Sequence, residues 1–205
     1  MVISIGIPGI QRYIQDIPDG MVILLEGGAD HMPSNIAQAL APSAFAQKRP
    51  VRYITSRRQE DVILQILNNG QDPEAFNVTE NIDPDRWGDH ILKGAMVIVD
   101  SFSFFILGKE VQYVKDLMLR LRSVCREMGA NLVLIAEQGM LERTTEAVTH
   151  YLADGIIQFM FSERPEGVSR YLRIPKWVNE TMVDQNIFYE YEGGHIKIDL
   201  RSRVV

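Results

Sequence analysis

Short, almost uninterrupted apolar runs alternate along the chain with longer segments in which apolar residues recur every three or four positions. The runs 21–26, 51–55, 95–100, 131–136 and 155–161 read as strands, and four of them are the near-continuous aliphatic stretches expected of a sheet covered on both faces. The segments 33–48, 59–68, 110–128 and 142–152 read as helices. In the third, Val111, Val114, Leu117, Met118, Leu121, Val124, Cys125 and Met128 form one apolar stripe, and Gly129 follows as a stop. Strands alternating with helices predict right-handed crossovers and a mainly parallel central sheet flanked by helices, an α/β fold. After Phe161 the pattern changes. Segments 171–174, 187–191 and 195–200 read as C-terminal antiparallel strands, with Glu192-Gly193-Gly194 as a hairpin connection. Segment 68–89, rich in Asn, Asp and Pro, predicts a long irregular excursion, and without repeats or low-complexity linkers residues 1–205 read as a single domain.

Composition narrows the functional classes. A chain of 205 residues, 46% of them hydrophobic, is long enough for one substantial core. The net charge of −6 offers no global attraction to nucleic acid or anionic lipid. Cys125 is the only cysteine, so no internal disulfide or CxxC knuckle forms, and a reducing compartment, the cytoplasm, is expected. The most apolar run, 96–107, is broken by Asp100 and falls short of the about 20 residues a membrane helix needs. No basic-then-apolar leader opens the chain. A soluble protein without membrane insertion is the expectation.

Ligands of open parallel sheets bind at the carboxyl ends of the strands, which singles out the turn after Glu26. A phosphate loop there has the form G-x-x-x-x-G-K-[ST]: backbone amides and a lysine surround the phosphates while a hydroxyl reaches magnesium. The candidate positions are Gly27, Gly28, Ala29, Asp30, His31, Met32, Pro33 and Ser34, together with Asp100 at the end of a later strand. Gly27 and Ser34 keep the first and last places of the loop. Met32 replaces the second glycine, and Pro33 replaces the lysine with a residue that has neither charge nor backbone N–H. Each charge-assisted hydrogen bond forfeited is worth about 1.5–3 kcal/mol, and Asp30 adds negative charge where a phosphate would approach. Pro33 also has a structural explanation, since proline suits the first position of a helix. Tight triphosphate binding in the usual manner is not expected.

Several segments, taken in order, carry a family resemblance. Gly6-Ile-Pro-Gly-Ile10 followed by Ile17-Pro-Asp-Gly-Met-Val-Ile-Leu-Leu-Glu-Gly27, then Tyr53-Ile-Thr55, Ala95-Met-Val-Ile-Val-Asp-Ser101 and Arg170-Tyr-Leu-Arg-Ile-Pro-Lys176 resemble the KaiC-like branch of the RecA-superfamily P-loop ATPases. The resemblance implies a RecA-like P-loop NTPase core, with Ala95 to Ser101 as its Walker B strand and Ser34 and Asp100 on the metal side of the site. The departures fall on the chemistry. Where the family has a pair of glutamates after the second core strand, this chain has Arg57 and Arg58. Where an arginine follows the late lysine by two residues, it has Val178, although Lys176 remains. Such a pattern resembles the inactivated archaeal members associated with signal transduction and, more distantly, ATPase-like accessory proteins of the archaeal flagellum. Head-to-tail assembly in the family implies a homo-oligomer, for which a dimer or small ring is as compatible as a hexamer.

Other chemistry finds less support. His31, His90, His150 and His195 lie in separate segments without HExxH or paired-ligand spacing, so no metal site is expected. Asp83, Asp85, Gly88 and Asp89 suggest a calcium loop, but Trp87 stands at a ligand position and Gly94 where the final glutamate belongs. Cys125 lies on the apolar stripe and reads as core. Glu137, just past a strand end, reads either as a cleft carboxylate or as a cap for nearby amides. Lys48, Arg49, Arg52, Arg57 and Arg58 form the densest basic stretch, and without interleaved aromatics they read as a solvated face with local ion pairs.

The expected function is a noncatalytic RecA/KaiC-like homologue acting as a protein-interaction or regulatory module, with no catalytic residues and no cofactor, although weak ATP or magnesium binding stays open. An ATPase with an atypical phosphate loop using Ser34, Asp100 and Glu137, or a nucleic-acid-binding RecA paralogue, is the alternative. One further expectation is geometric: Arg57 or Arg58 replaces the metal-and-phosphate assembly by pairing with Asp100 or Glu137, because guanidinium satisfies a partly buried carboxylate.

Overall fold

The computed structural model describes residues 2–5, 7–14, 16–28, 33–164, 167–178, 183–192 and 195–199. In chain order the elements are β1 (Val2–Ile3), β2 (Ile17–Pro18), β3 (Val22–Gly27), α1 (Pro33–Ala46), β4 (Val51–Thr55), α2 (Gln59–Asn68), β5 (Val78–Glu80), β6 (Met96–Asp100), α3 (Phe102–Ile106), α4 (Val111–Met128), β7 (Asn131–Glu137), α5 (Arg143–Leu152), β8 (Gly155–Arg164), β9 (Gly167–Trp177), β10 (Val183–Glu192) and β11 (His195–Ile198). The main sheet has the order β11-β10-β9-β8-β3-β7-β6-β4-β5, while β1 and β2 pair separately. Pairing is parallel from β5 through β8 and antiparallel across β8, β9, β10 and β11. Val22 to Leu25 and Val97 to Val99 thus lie in one sheet, both beside β7.

The apolar runs are continuous because both faces of the sheet are covered. Ile23, Leu25, Tyr53, Ile98, Val133 and Ile135 point to one side, where Ile36 and Leu40 of α1 and Val62 and Ile66 of α2 pack. Their chain neighbours Val22, Leu24, Ile54, Val97, Val99, Leu132 and Leu134 point to the other, against α3 and α4. The α4 stripe is buried at Val114, Leu117, Met118, Leu121 and Cys125, but its end residues Val111 and Met128 are exposed. Gly129 ends α4 as expected, at a φ of 60° with its N–H directed to the last-turn carbonyls.

Three further differences have local causes. α1 ends at Ala46 rather than at residue 48, because Lys48 turns the chain with a φ of 57°. β8 runs on to Arg164, since β9 continues the ladder opposite it as far as the Arg164–Gly167 pair. The excursion 68–89 contains β5, which adds to the sheet edge beside β4, and two short 3-10 helices, Pro73–Phe76 and Pro84–His90, capped by Asp72 and Asp83. Asp83 therefore serves a turn, and Asp85 pairs with Arg120 at 2.9 Å. The 192–195 register fits the expected hairpin; Gly193 and Gly194 themselves lie outside the described residues.

The basic stretch does not form one patch, because β4 carries its two ends to opposite edges of the sheet. At the amino edge, Arg49 is buried rather than solvated: its guanidinium donates to Asp19 Oδ1 at 2.9 Å, Asn131 Oδ1 at 2.8 Å and the carbonyls of Gly94 and Gly129. Arg57 emerges at the carboxyl edge.

Candidate functional site

The parallel register brings the strand ends together. Thr55 pairs with Asp100, Asp100 with Ile135 and Gly27 with Glu137, so β4, β6, β7 and β3 finish side by side. Over these ends lies a cleft of about 560 Å³, lined among others by Gly28, Pro33, Ser34, Ser56, Arg57, Asp100, Ser101 and Glu137. Gly27, Gly28, Pro33, Ser34 and Asp100, all expected at the site, are therefore at this edge, with Pro33 as the first residue of α1. Ala29, Asp30, His31 and Met32 lie outside the described residues.

Asp100 is the centre of the arrangement. Its Oδ2 accepts from the Tyr53 hydroxyl at 2.5 Å and from the Arg57 guanidinium at 2.7 Å. The carboxylate side chain is only 3% exposed, whereas the Arg57 side chain is 40% exposed and closes over it from the solvent side. Arg57 is aimed by its own turn: its backbone N–H donates to Thr55 Oγ1 at 2.9 Å, and the guanidinium donates again to Gln65 Oε1 at 2.8 Å. Gln65 in turn bonds Asn35 on α1. The expected pairing is thus direct and uses Arg57, while Arg58, at the start of α2, points outward.

The electrostatics follow from these contacts. Burial pushes the Tyr53 phenol well above its ordinary range, and the adjoining Asp100 carboxylate adds to the shift. For Arg57, partial burial opposes the charge, but the facing Asp100 carboxylate outweighs it and raises the pKa further. The guanidinium is a fixed cation.

Glu137 is engaged separately. The hydroxyls of Ser101 and Ser103 both donate to its Oε2, and its backbone N–H donates to Ser103 Oγ at 2.9 Å. The Asp100–Ser101 peptide bond is cis, and the Ser101 N–H donates to Ser56 Oγ at 3.2 Å. Among the described residues lining the cleft, Asp61, Asp100 and Glu137 face one cation, Arg57. Among the described residues lining the cleft there is no lysine, and the Oδ2 of Asp100 already accepts from both Tyr53 and Arg57.

Lys176, the late lysine, is held within its own chain by the carbonyls of His150 at 3.1 Å and Tyr151 at 2.8 Å. This contact was not legible in the sequence, because it links the end of α5 to β9. Tyr53 was missed for another reason: on a buried strand it reads as core, and only the register with β6 places its hydroxyl beside Asp100. Cys125 is fully buried, and burial, aided by Asp154, pushes its thiol up to about 12. No described helix is long and apolar enough to cross a membrane.

The mostly parallel nine-strand sheet with its flanking helices and C-terminal antiparallel strands matches a KaiC-like RecA core in fold. The crystal structure of the KaiC-like protein PH0186 from the hyperthermophilic archaeon Pyrococcus horikoshii OT3 superposes with a TM-score of 0.80 at 22% identity, covering 97% of this chain and 99% of that one. The chain belongs to a family of unknown function, DUF7125, whose model matches residues 3–204. No curated protein matches the sequence.

Proposed function

We propose that this protein is a noncatalytic KaiC-like module that works by binding a protein partner, with the carboxylates Asp100 and Glu137 of its cleft engaged by its own side chains. The observation that carries the reading is the Arg57–Asp100 ion pair at 2.7 Å. In a catalytic site of this class a carboxylate at the end of β6 serves the metal; here a fixed cation and a phenol already satisfy it. The Ser101 and Ser103 hydroxyls occupy Glu137 in the same way, and Pro33 brings no ammonium group to the loop. Leu64 and Phe104, 58% and 53% exposed, stand at the cleft mouth and suit a macromolecular contact better than a triphosphate.

Phosphate release from magnesium ATP tests the reading. The rate with the purified protein is expected to equal the buffer blank, and Asp100→Asn is expected to leave it unchanged. Turnover above the blank that Asp100→Asn abolishes would instead establish the ATPase alternative.

A further inference from the structure

A second polar cluster lies outside the cleft, where β3 meets α5. Glu26, one residue before the end of β3, has a side chain 8% exposed, and the Nε2 of His150, on α5, lies 2.6 Å from Glu26 Oε1. Glu146 is four residues before His150 on the same helix, so both side chains project from one face. One ligand atom from each of Glu26, Glu146 and His150 lies within 4.8 Å of the others.

We propose that Glu26, Glu146 and His150 form a binding site for a divalent transition-metal cation, for which zinc is the best match. Three features argue for a built site beyond a single ion pair. The ligand set is one imidazole and two carboxylates, borderline donors that suit zinc and its neighbours better than magnesium or calcium. Glu26 is oriented from behind, since Gln158 Nε2 donates to its Oε2 at 2.9 Å and leaves Oε1 turned toward His150. The turn of α5 that carries His150 is fixed by Lys176, whose ammonium holds the carbonyls of His150 and Tyr151.

Two carboxylates converge here on one imidazole, and the nearby Lys176 ammonium is turned to carbonyl oxygens. A dication would neutralise that excess of acceptors. Tetrahedral zinc, with bonds of about 2.0–2.1 Å, sets its ligand atoms about 3.3 Å apart. The widest separation therefore has to close by at most about 1.5 Å, and the His150–Glu26 contact has to open by about 0.7 Å, both within the reach of a side-chain rotation. Glu146 and His150 are only half-buried, which leaves a solvent side for entry and for a fourth, water ligand. The sequence hid the site because Glu26 and His150 are 124 residues apart.

The test uses the tag-free, metal-stripped protein. Zinc is titrated by calorimetry and cobalt by its visible absorption, with magnesium as control, on wild type and on Glu146→Gln and His150→Ala. One saturable zinc ion per chain is expected, with a tetrahedral-type cobalt spectrum, no competition from magnesium, and at least about a tenfold loss of zinc affinity in each variant. Glu146→Gln alters a half-exposed side chain and decides the matter should His150→Ala fail to fold. Absence of saturable zinc binding in the folded wild type, or binding that Glu146→Gln leaves unchanged, would overturn the proposal.

Discussion

Replacing Arg57 by alanine removes the one cation on Asp100, and the structure sets the size of the effect. The carboxylate left behind is 3% exposed and keeps only the Tyr53 hydroxyl of its two donors. Removing one partner of a fully buried pair costs about 3–5 kcal/mol. Here the guanidinium is 40% exposed, so water partly screens the pair and enters where the side chain was, and a loss nearer about 2 kcal/mol follows. For a chain of this size that is a fall of about 4–8 °C in Tm. Arg58→Ala, on the same turn but outward-facing, is expected to change stability by no more than about 0.5 kcal/mol. Urea unfolding followed by fluorescence of the buried Trp87 and Trp177 reads both variants, and Arg57→Ala/Asp100→Asn supplies the coupling energy. Equal stability of the Arg57→Ala and Arg58→Ala variants, or a coupling indistinguishable from zero, would refute the view that Arg57 holds the site together.

Because burial raises the Tyr53 pKa, the folded state keeps a proton that the unfolded chain loses above about pH 10. Stability should fall as pH rises beyond that value, and Tyr53→Phe should flatten the fall in alkaline unfolding curves. Restoring the loop with Met32→Gly and Pro33→Lys should not restore ATP turnover, since Arg57 still occupies Asp100; recovered phosphate release would show that the loop alone is the defect. The Cys125 thiol, buried and raised to about 12, should resist an aromatic disulfide reagent in the native protein and react at once in denaturant.

What the sequence disclosed depended on the length scale of each signal. β3, β6 and β7 were legible because two-sided burial makes their aliphatic runs continuous, and α4 because its stripe repeats over five turns. β5 was not, since three residues with only Val78 buried carry no period. α3 was hidden for the opposite reason: Phe102 to Ile106 continues the apolar run of β6, and nothing in composition marks where strand gives way to helix. Within the site, Arg57 with Asp100 could be anticipated because both sit at strand ends of adjacent βα units. The serine pair on Glu137 could have been sought from Ser101-Phe-Ser103 directly after Asp100, a spacing that places two hydroxyls beside the next strand end. Glu26 with α5, by contrast, depends on β8 bringing the chain back beside β3, a register that no local pattern encodes.

The central claim is that Arg57 stands where a metal-bound triphosphate would sit, and calorimetric titration of the protein with a slowly hydrolysed ATP analogue in excess magnesium measures that directly. The account predicts no saturable heat up to about 1 mM ligand, corresponding to a binding free energy weaker than about −4 kcal/mol. One analogue bound per chain with a Kd below about 100 μM, weakened when Asp100 is changed to asparagine, would contradict it.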